Sequence, residues 1–501
     1  MENQKIMFAA NPIVRELQKD HTLFTKDDII NYVVKHHIRG VNFMYPGGDG
    51  RLKTLNFVIN DLAYLDSILS SGERVDGSSL FSFVGSGSSD LYVLPRFSTA
   101  FLDPFADEPT LCMLASFFDR DCQPLESAPE RTLQKATQAL MARTGLDFHA
   151  MGELEYYVIR DDDGRYLARD QHGYHESGPY SKDGAFRTKC MRALAQCGCQ
   201  IKYGHSEVGN FIENGMNYEQ NEIEFLPVPA LEAADQIMVA KWVIRNMAYQ
   251  DGLEVTFAPK ITVGKAGSGM HIHMRLMRDG QSAMVSGGEL SHEATTAIAG
   301  MMDLAGSITA FGNKNPMSYF RLVPHQEAPT NICWGKSNRS ALVRVPLGWT
   351  VDRDMCCVAN PQETEQDRDY SIKQTVEMRS PDGSADIYQL LAGLCVACRH
   401  GFDMPDDDEV ARRTFVDGNI HDDAHKKQLA LLGQLPDSCA ASADRLEEQR
   451  AVYEELGVFS PQMIDAIIRE LRAFNDRTLR RDTRSNNREL AHLVERYFHC
   501  G

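Results

Sequence analysis

The stretch GELEYYVI, residues 152–159, alternates charged with apolar side chains and then runs into aromatic and β-branched ones. A period of two predicts a β-strand and puts Glu153 and Glu155 on one face. The pattern returns in GMHIHMRL (269–276), pairing His271 with His273, and in TVEMR (375–379), pairing Glu377 with Arg379. Buried charge is costly unless it is paired or holds a metal, and adjacent carboxylates repel unless a cation lies between them. Any one pair is compatible with a solvated sheet face. Several on separate strands point to a shared metal-binding face. Carboxylates joined by one or two imidazoles suit Mg²⁺ or Mn²⁺ better than zinc.

Outward from this stretch, EIEF (222–225), EVTFAPKI (254–261) and LVRVP (342–346) read as further strands, with helical runs at 231–250 and 295–311. Ser127 with Glu130 predicts a capped helix, and Ser460-Pro461 opens another. Near the start, Thr25 with Asp28 forms a capping-box pattern, and Gly40 suits that helix's end. VNFMY (41–45) and LKTLNFVI (52–59) flank Asp49-Gly50 as a hairpin, followed by a loop over DGSSLFSFVGSGSSD (76–90). FLDPFADEP (101–109) reads as a boundary. The expectation is an α+β chain, with a small β domain over 25–105 and a large mixed domain over 106–501.

The 501 residues leave room for about three ordinary domains or two large ones. A net charge of −18 argues against general binding to a nucleic-acid backbone. No run reaches about 18 apolar residues, so no membrane span is expected. Residues 1–20 lack a signal-peptide apolar core and the cysteines are scattered, so reduced thiols and a cytoplasmic location are expected. Cys395 and Cys398 read as core thiols, GKAGSG (264–269) lacks the order of a phosphate loop, and DDDE (406–409) reads as a solvated loop.

A second group of residues is basic. It comprises Arg321 in SYFRLVPHQEAP (318–329), Arg339 and Arg344 in SNRSALVRVP (337–346), and Arg379. Arginine forks bind carboxylate and phosphate bidentately. Carboxylate strands beside an arginine cluster suit a metal-nucleotide and an acidic small molecule; salt bridging is the plainer use of any single arginine.

Together these motifs make the chain resemble glutamine synthetase over residues 40–475. In chain order they are DGSS (76–79), GELEYYV (152–158), HSEV (205–208), QNEIEF (220–225), APK with GSGMHIHM (258–274), SYFRLVPHQEAP, SNRSALVRVP and EMRSPDGSADIY (377–388). The resemblance implies a β-grasp domain and a catalytic domain with a curved antiparallel sheet. It also implies ATP-dependent ligation of ammonia to the γ-carboxylate of glutamate through a γ-glutamyl phosphate. One divalent ion would sit at Glu155, Glu207 and Glu222, another at Glu153, His271 and Glu377. Glutamate would lie against Glu155, Gly267, His271, Arg321 and Arg379, and ATP against Glu207, His273, Arg339 and Arg344. The ammonium pocket would combine Tyr180, Glu207 and the lid residue Glu327 with a base, Asp76 of the partner subunit, whose loop Ser79 completes. That sharing implies a ring-shaped homo-oligomer, a dodecamer of two hexamers.

The chain departs from the family pattern in several places. The spacing from Glu207 to Glu222 is long, Ala266 stands where Asn is common, and Phe83 replaces a tryptophan. Thr375 replaces an arginine, the lid reads PHQEAP instead of PGYEAP, and 348–370 looks like an insertion. The altered lid leaves open a second class of acceptor, an organic amine or polyamine. A non-catalytic homologue would have lost metal ligands or the base, and none is lost.

Overall fold

The period-two stretch is the middle of a long strand, Asp147–Asp161, in the computed structural model. The structure describes residues 6–85, 89–323, 329–348, 354–366, 369–418, 420, 428, 430–483 and 487–501. On one side the sheet continues through Met270–Arg278, Val376–Met378, Val343–Val345 and Trp334–Lys336. On the other it continues through Met216–Phe225 to an edge strand, Ile201–Glu213. Along this path pairing is antiparallel except between Trp334–Lys336 and Val343–Val345. Only Glu254–Thr256 of the predicted 254–261 strand is extended.

Register decides which side chains meet. Glu153 lies opposite both His271 and Glu224, Glu155 opposite Glu222, and Glu222 opposite His205. Glu377 lies opposite His273 and Arg344. Cross-strand partners share a face, so these charges form one row. The alternate residues Leu154, Tyr156, Val158, Ile223, Phe225 and Ile272 are buried on the other face. They join a core with helices Pro129–Thr144, Ala230–Gln250 and Ile387–Asp403, the last holding Cys395 and Cys398 as buried thiols.

Several predicted elements are adjusted. The 295–311 stretch is two helices, His292–Asp303 and Ala305–Gly312, broken at Leu304. The helix expected at Ser127 starts at Pro129 without a side-chain cap, because Ala128 takes the N-cap position and has no side-chain acceptor; Glu130 turns inward and accepts the Phe117 amide at 3.0 Å. The DDDE run is not a loop: it supplies the acidic first turn of helix Asp407–Thr414, where the helix dipole favours negative charge. Ser460 caps Pro461–Ala473 as predicted, accepting the Met463 amide at 3.2 Å.

In the N-terminal unit Thr25 and Asp28 close the capping box of Lys26–Lys35. That helix is capped at His36, and Gly40 instead opens strand Gly40–Pro46. Gly40–Pro46 and Leu52–Val58 form the predicted hairpin, with Gly50 at φ 74°, a region that favours glycine. The sheet order is Leu52–Val58, Gly40–Pro46, Thr110–Phe118, Asp90–Pro95, Glu73–Asp76, with the second and third strands parallel. The central strand therefore lies beyond residue 105, where the boundary was expected. The 101–109 segment is a short strand, Phe101–Leu102, and a turn that returns the chain to its own sheet.

The two units meet at Arg96, which donates to both oxygens of Asp235 at 2.7 Å, while Tyr388 Oη donates to the same carboxylate at 2.6 Å. Among the described residues no helix is long and apolar enough to cross a membrane.

Candidate active site

The charged sheet face floors a cavity of about 970 Å³. Glu153, Glu155, Glu207, Glu222, Glu377, His271 and His273 line it with Gly267, Arg321, Arg339, Arg344 and Arg379. His273 Nε2 lies 2.7 Å from Glu153 Oε1, and His271 Nδ1 lies 3.0 Å from Glu153 Oε2. Burial alone would raise Glu153, but the two imidazoles outweigh it and hold its carboxyl well below the usual carboxylate range. The same contact raises His273 against its burial, whereas burial lowers His271.

Glu222 behaves in the opposite way. Burial, then repulsion from Glu153, Glu155, Glu207 and Glu224, pushes its carboxyl well above the usual range. Carboxylates that suppress one another's ionisation fit a divalent cation, which would remove the repulsion, and oxygen donors with an imidazole suit a hard ion. Along the cavity floor, ligand atoms converge within 4.8 Å in two groups, Glu153–His273–Glu377 and His205–Glu222–Glu224. His271 adjoins the first group, with Nδ1 3.5 Å from Glu377 Oε1. Glu207 adjoins the second, with Oε1 3.9 Å from His205 Nδ1.

Cations abut this row directly. Arg344 Nη1 donates to Glu377 Oε2 at 2.8 Å, and Arg379 Nε donates to Glu377 Oε1 at 3.1 Å. Arg321 is buried and held by the Ser380 and Pro381 carbonyls at 2.8 and 3.2 Å. A Cβ on Gly267 would lie 2.6 Å from the Pro259 oxygen and 3.0 Å from Arg321 Cγ, so glycine is required there.

Family models bear directly on this geometry. "Glutamine synthetase, beta-Grasp domain" matches residues 37–120, and "Glutamine synthetase, catalytic domain" matches 126–488. The chain belongs to the glutamine synthetase family. A glutamine synthetase of Mycolicibacterium smegmatis is 29% identical over 481 residues, covering 89% of this chain and 94% of its own. One from Clostridium saccharobutylicum is 31% identical over 382 residues, 75% of this chain and 79% of its own. A solved Plasmodium falciparum glutamine synthetase shares the fold, with a TM-score of 0.75 at 18% identity over 93% of this chain and 99% of that one. Membership brings a ligase activity of the glutamine synthetase type that uses ATP and divalent metal.

Not every residue expected from the family reaches the cavity. Asp76 is exposed on the small unit, outside the lining, with Ser79 Oγ and Ser78 Oγ donating to it at 2.5 and 2.7 Å. Those hydroxyls, Ser79 first, hold its carboxyl below the usual range. Tyr180 is also outside: it is 49% exposed and its ring meets Tyr166 at 5.9 Å. The turn at 177–181 faces it outward, because Ser181 is tied to Glu219 at 2.6 Å. Tyr174 lines the cavity instead, from a segment whose His175 amide donates to the Ser206 carbonyl at 2.9 Å. Glu327, in the predicted lid, lies outside the described residues.

His205, Glu224, Tyr203 and Lys202, to which the sequence motifs assign no role, also line the cavity. Glu224 shares the face of Glu222 by strand period, so its signal was present. On the edge strand Tyr203 and His205 lie two apart, opposite Glu224 and Glu222, but a register shift between Ile201 and Tyr203 breaks the alternation at Lys202 and masks the pattern. Tyr203 Oη donates to Glu224 Oε1, and Lys202 Nζ donates to its Oε2 at 2.6 Å.

Proposed function

We propose that the chain joins ammonium to the γ-carboxylate of L-glutamate through a γ-glutamyl phosphate, converting ATP to ADP and phosphate and releasing glutamine. The observation that carries this reading is the continuous row on one sheet face, with carboxylates and imidazoles at its centre and arginines against Glu377. A carboxylate is a poor electrophile, so it must be phosphorylated before an amine can displace it. Arg339 and Arg344 receive the nucleotide phosphates and offset charge on the group in transfer. Arg321, Arg379 and Gly267 receive glutamate beside His271 and Glu155, whose Oε2 accepts the Gly269 amide at 2.7 Å and is thereby oriented.

Mg²⁺ or Mn²⁺ held by Glu153, Glu377 and His271 or His273, and by Glu155, Glu207 and Glu222 with His205 and Glu224 beside them, would supply Lewis-acid neutralisation of phosphoryl charge. Ammonium has no lone pair and needs a base. Asp76 of the partner subunit takes that proton in this reading, because Asp76 is exposed on the small unit and does not line its own cavity. A ring-shaped homo-oligomer, a dodecamer of two hexamers as the family resemblance implies, is the assembly this reading takes to bring one subunit's Asp76 to another's cavity. The free cysteines support a cytoplasmic location.

Purified protein with Mg²⁺, ATP and glutamate should release phosphate when ammonium is added. One observation favours an organic amine as acceptor instead. Tyr174 and Tyr203 line the cavity, and a primary ammonium, Lys202 Nζ, already lies 4.8 Å from the Tyr203 ring centre. Phosphate release with methylamine, ethanolamine or putrescine but not with ammonium would establish that second reading and remove the first.

A further inference from the structure

The 258–269 loop forms one wall of the cavity through Gly264, Lys265, Ala266 and Gly267. Its neck is closed by the Ser268 amide, which donates to the Pro259 carbonyl at 3.0 Å. On the cavity side Gln220 Nε2 donates to Gly267 O and to Glu155 Oε2, each at 3.0 Å. Behind the loop lies an apolar cluster separate from the main core. Tyr157, Phe211, Ala258 and Ile261 are buried there, and Val494, Phe498 and Cys500 pack on them. Tyr157 Oη donates to Ala266 O at 2.9 Å. The Thr256 hydroxyl accepts the Ala258 amide at 3.0 Å and donates to Phe498 O, so one hydroxyl joins the loop's first residue to the distal segment. Arg245 Nη2 donates to Cys500 O at 2.9 Å, and Arg51 Nη2, from the small unit, donates to His499 O at 2.6 Å.

We propose that residues 498–500, which follow helix Asn487–Tyr497, are a positioning strap that holds the back of the 258–269 loop and thereby sets Gly267 for glutamate. This rests on the reading of Gly267 as a glutamate contact. A close-packed interior transmits displacement, and a loop held on one side only opens locally at low free-energy cost. Phe498 does not line the cavity; it packs behind the loop on Tyr157, Ala258 and Ile261. Emptying that space frees the loop's back while Gln220 and Arg321 remain in place. A shift of about 1 Å in a substrate-positioning group costs up to about 10²-fold in kcat/KM.

The test compares the full-length enzyme with Phe498→Ala and Phe498→Leu, varying glutamate and ATP separately and following hydrogen exchange of the 260–268 amides. Phe498→Ala is expected to raise the KM for glutamate about tenfold, to leave the KM for ATP and kcat unchanged, and to speed exchange in the loop. Phe498→Leu should restore both readouts. An unchanged glutamate KM, or equal rises in both KM values, overturns the strap. Should Phe498→Ala not fold, Thr256→Val removes the shared hydroxyl while keeping the side chain's shape, and the same expectations apply. If the unmodified enzyme shows no glutamate-dependent turnover, the ligase reading falls. Loop exchange then judges the strap alone, and unaltered exchange rejects it.

Discussion

Glu153 and Glu222 show how strongly neighbours govern a single side chain. Both are glutamates on adjacent strands of one sheet face, yet the first is held well below the usual carboxylate range by His273 and His271, and the second is pushed well above it by burial and other carboxylates. A divalent ion that relieves this repulsion should bind the folded state in preference to the unfolded one. Adding Mg²⁺ or Mn²⁺ to chelated protein is therefore expected to raise Tm, by the equivalent of about 2.7 kcal/mol at a hundredfold excess over Kd; calorimetry showing no shift would remove the metal assignment. Asp76 stands apart because it is exposed and hydrogen-bonded only within its own loop among the contacts described. Asp76→Ala should leave Tm unchanged while kcat with ammonium falls about 10²- to 10⁴-fold. Full activity in that variant would discard Asp76 as the base.

At the scale of elements, the helix Pro129–Thr144 carries a buried acid at its first turn. Burial raises Glu130 to about 7, against the amide of Phe117, which favours its charged form. Because the folded value lies above the unfolded one, the stabilisation from this group is present below about 4.5 and is lost as pH rises through about 7. The full difference is roughly 3 kcal/mol. Urea titrations of Glu130→Gln should show a shallower fall in stability across that window than the parent; identical slopes would show that Glu130 ionises without cost. The hairpin of Ile201–Glu213 and Met216–Phe225 explains the long spacing between Glu207 and Glu222. The extra residues extend both strands to a turn at Asn214-Gly215, while Glu207, two residues on from His205, keeps its Oε1 3.9 Å from His205 Nδ1.

Across the whole molecule, the two units are joined through Arg96, Asp235 and Tyr388, all on buried or half-buried surfaces. Removing one partner of such a pair leaves the other charge buried and uncompensated. Arg96→Ala is expected to cost about 3–5 kcal/mol in urea unfolding; a loss below about 1 kcal/mol would class the contact with surface ion pairs. Assembly is tested by mixing. Asp76→Ala protomers and Arg339→Ala protomers, each inactive alone, should regain activity when co-assembled if one subunit's base serves another's cavity. No recovery would place the base within the same chain.

Local spacing alone placed Glu153 with Glu155, His271 with His273 and Glu377 with Arg379, because side-chain direction along a strand depends only on the backbone period. The Thr25–Asp28 box and the Asp49-Gly50 hairpin were legible for the same reason, being set by residues a few positions apart. Glu130 turning inward, the return of the chain at 101–109 to a central strand, and Tyr174 rather than Tyr180 facing the cavity were not. Each depends on a partner distant in sequence or on packing around it: the Phe117 amide, the sheet already formed, and the edge strand against which 171–175 runs. The sequence by itself determined the donor types and their faces. Only the tertiary structure decided which faces meet, because strand register and loop direction are fixed by long-range pairing and not by local pattern.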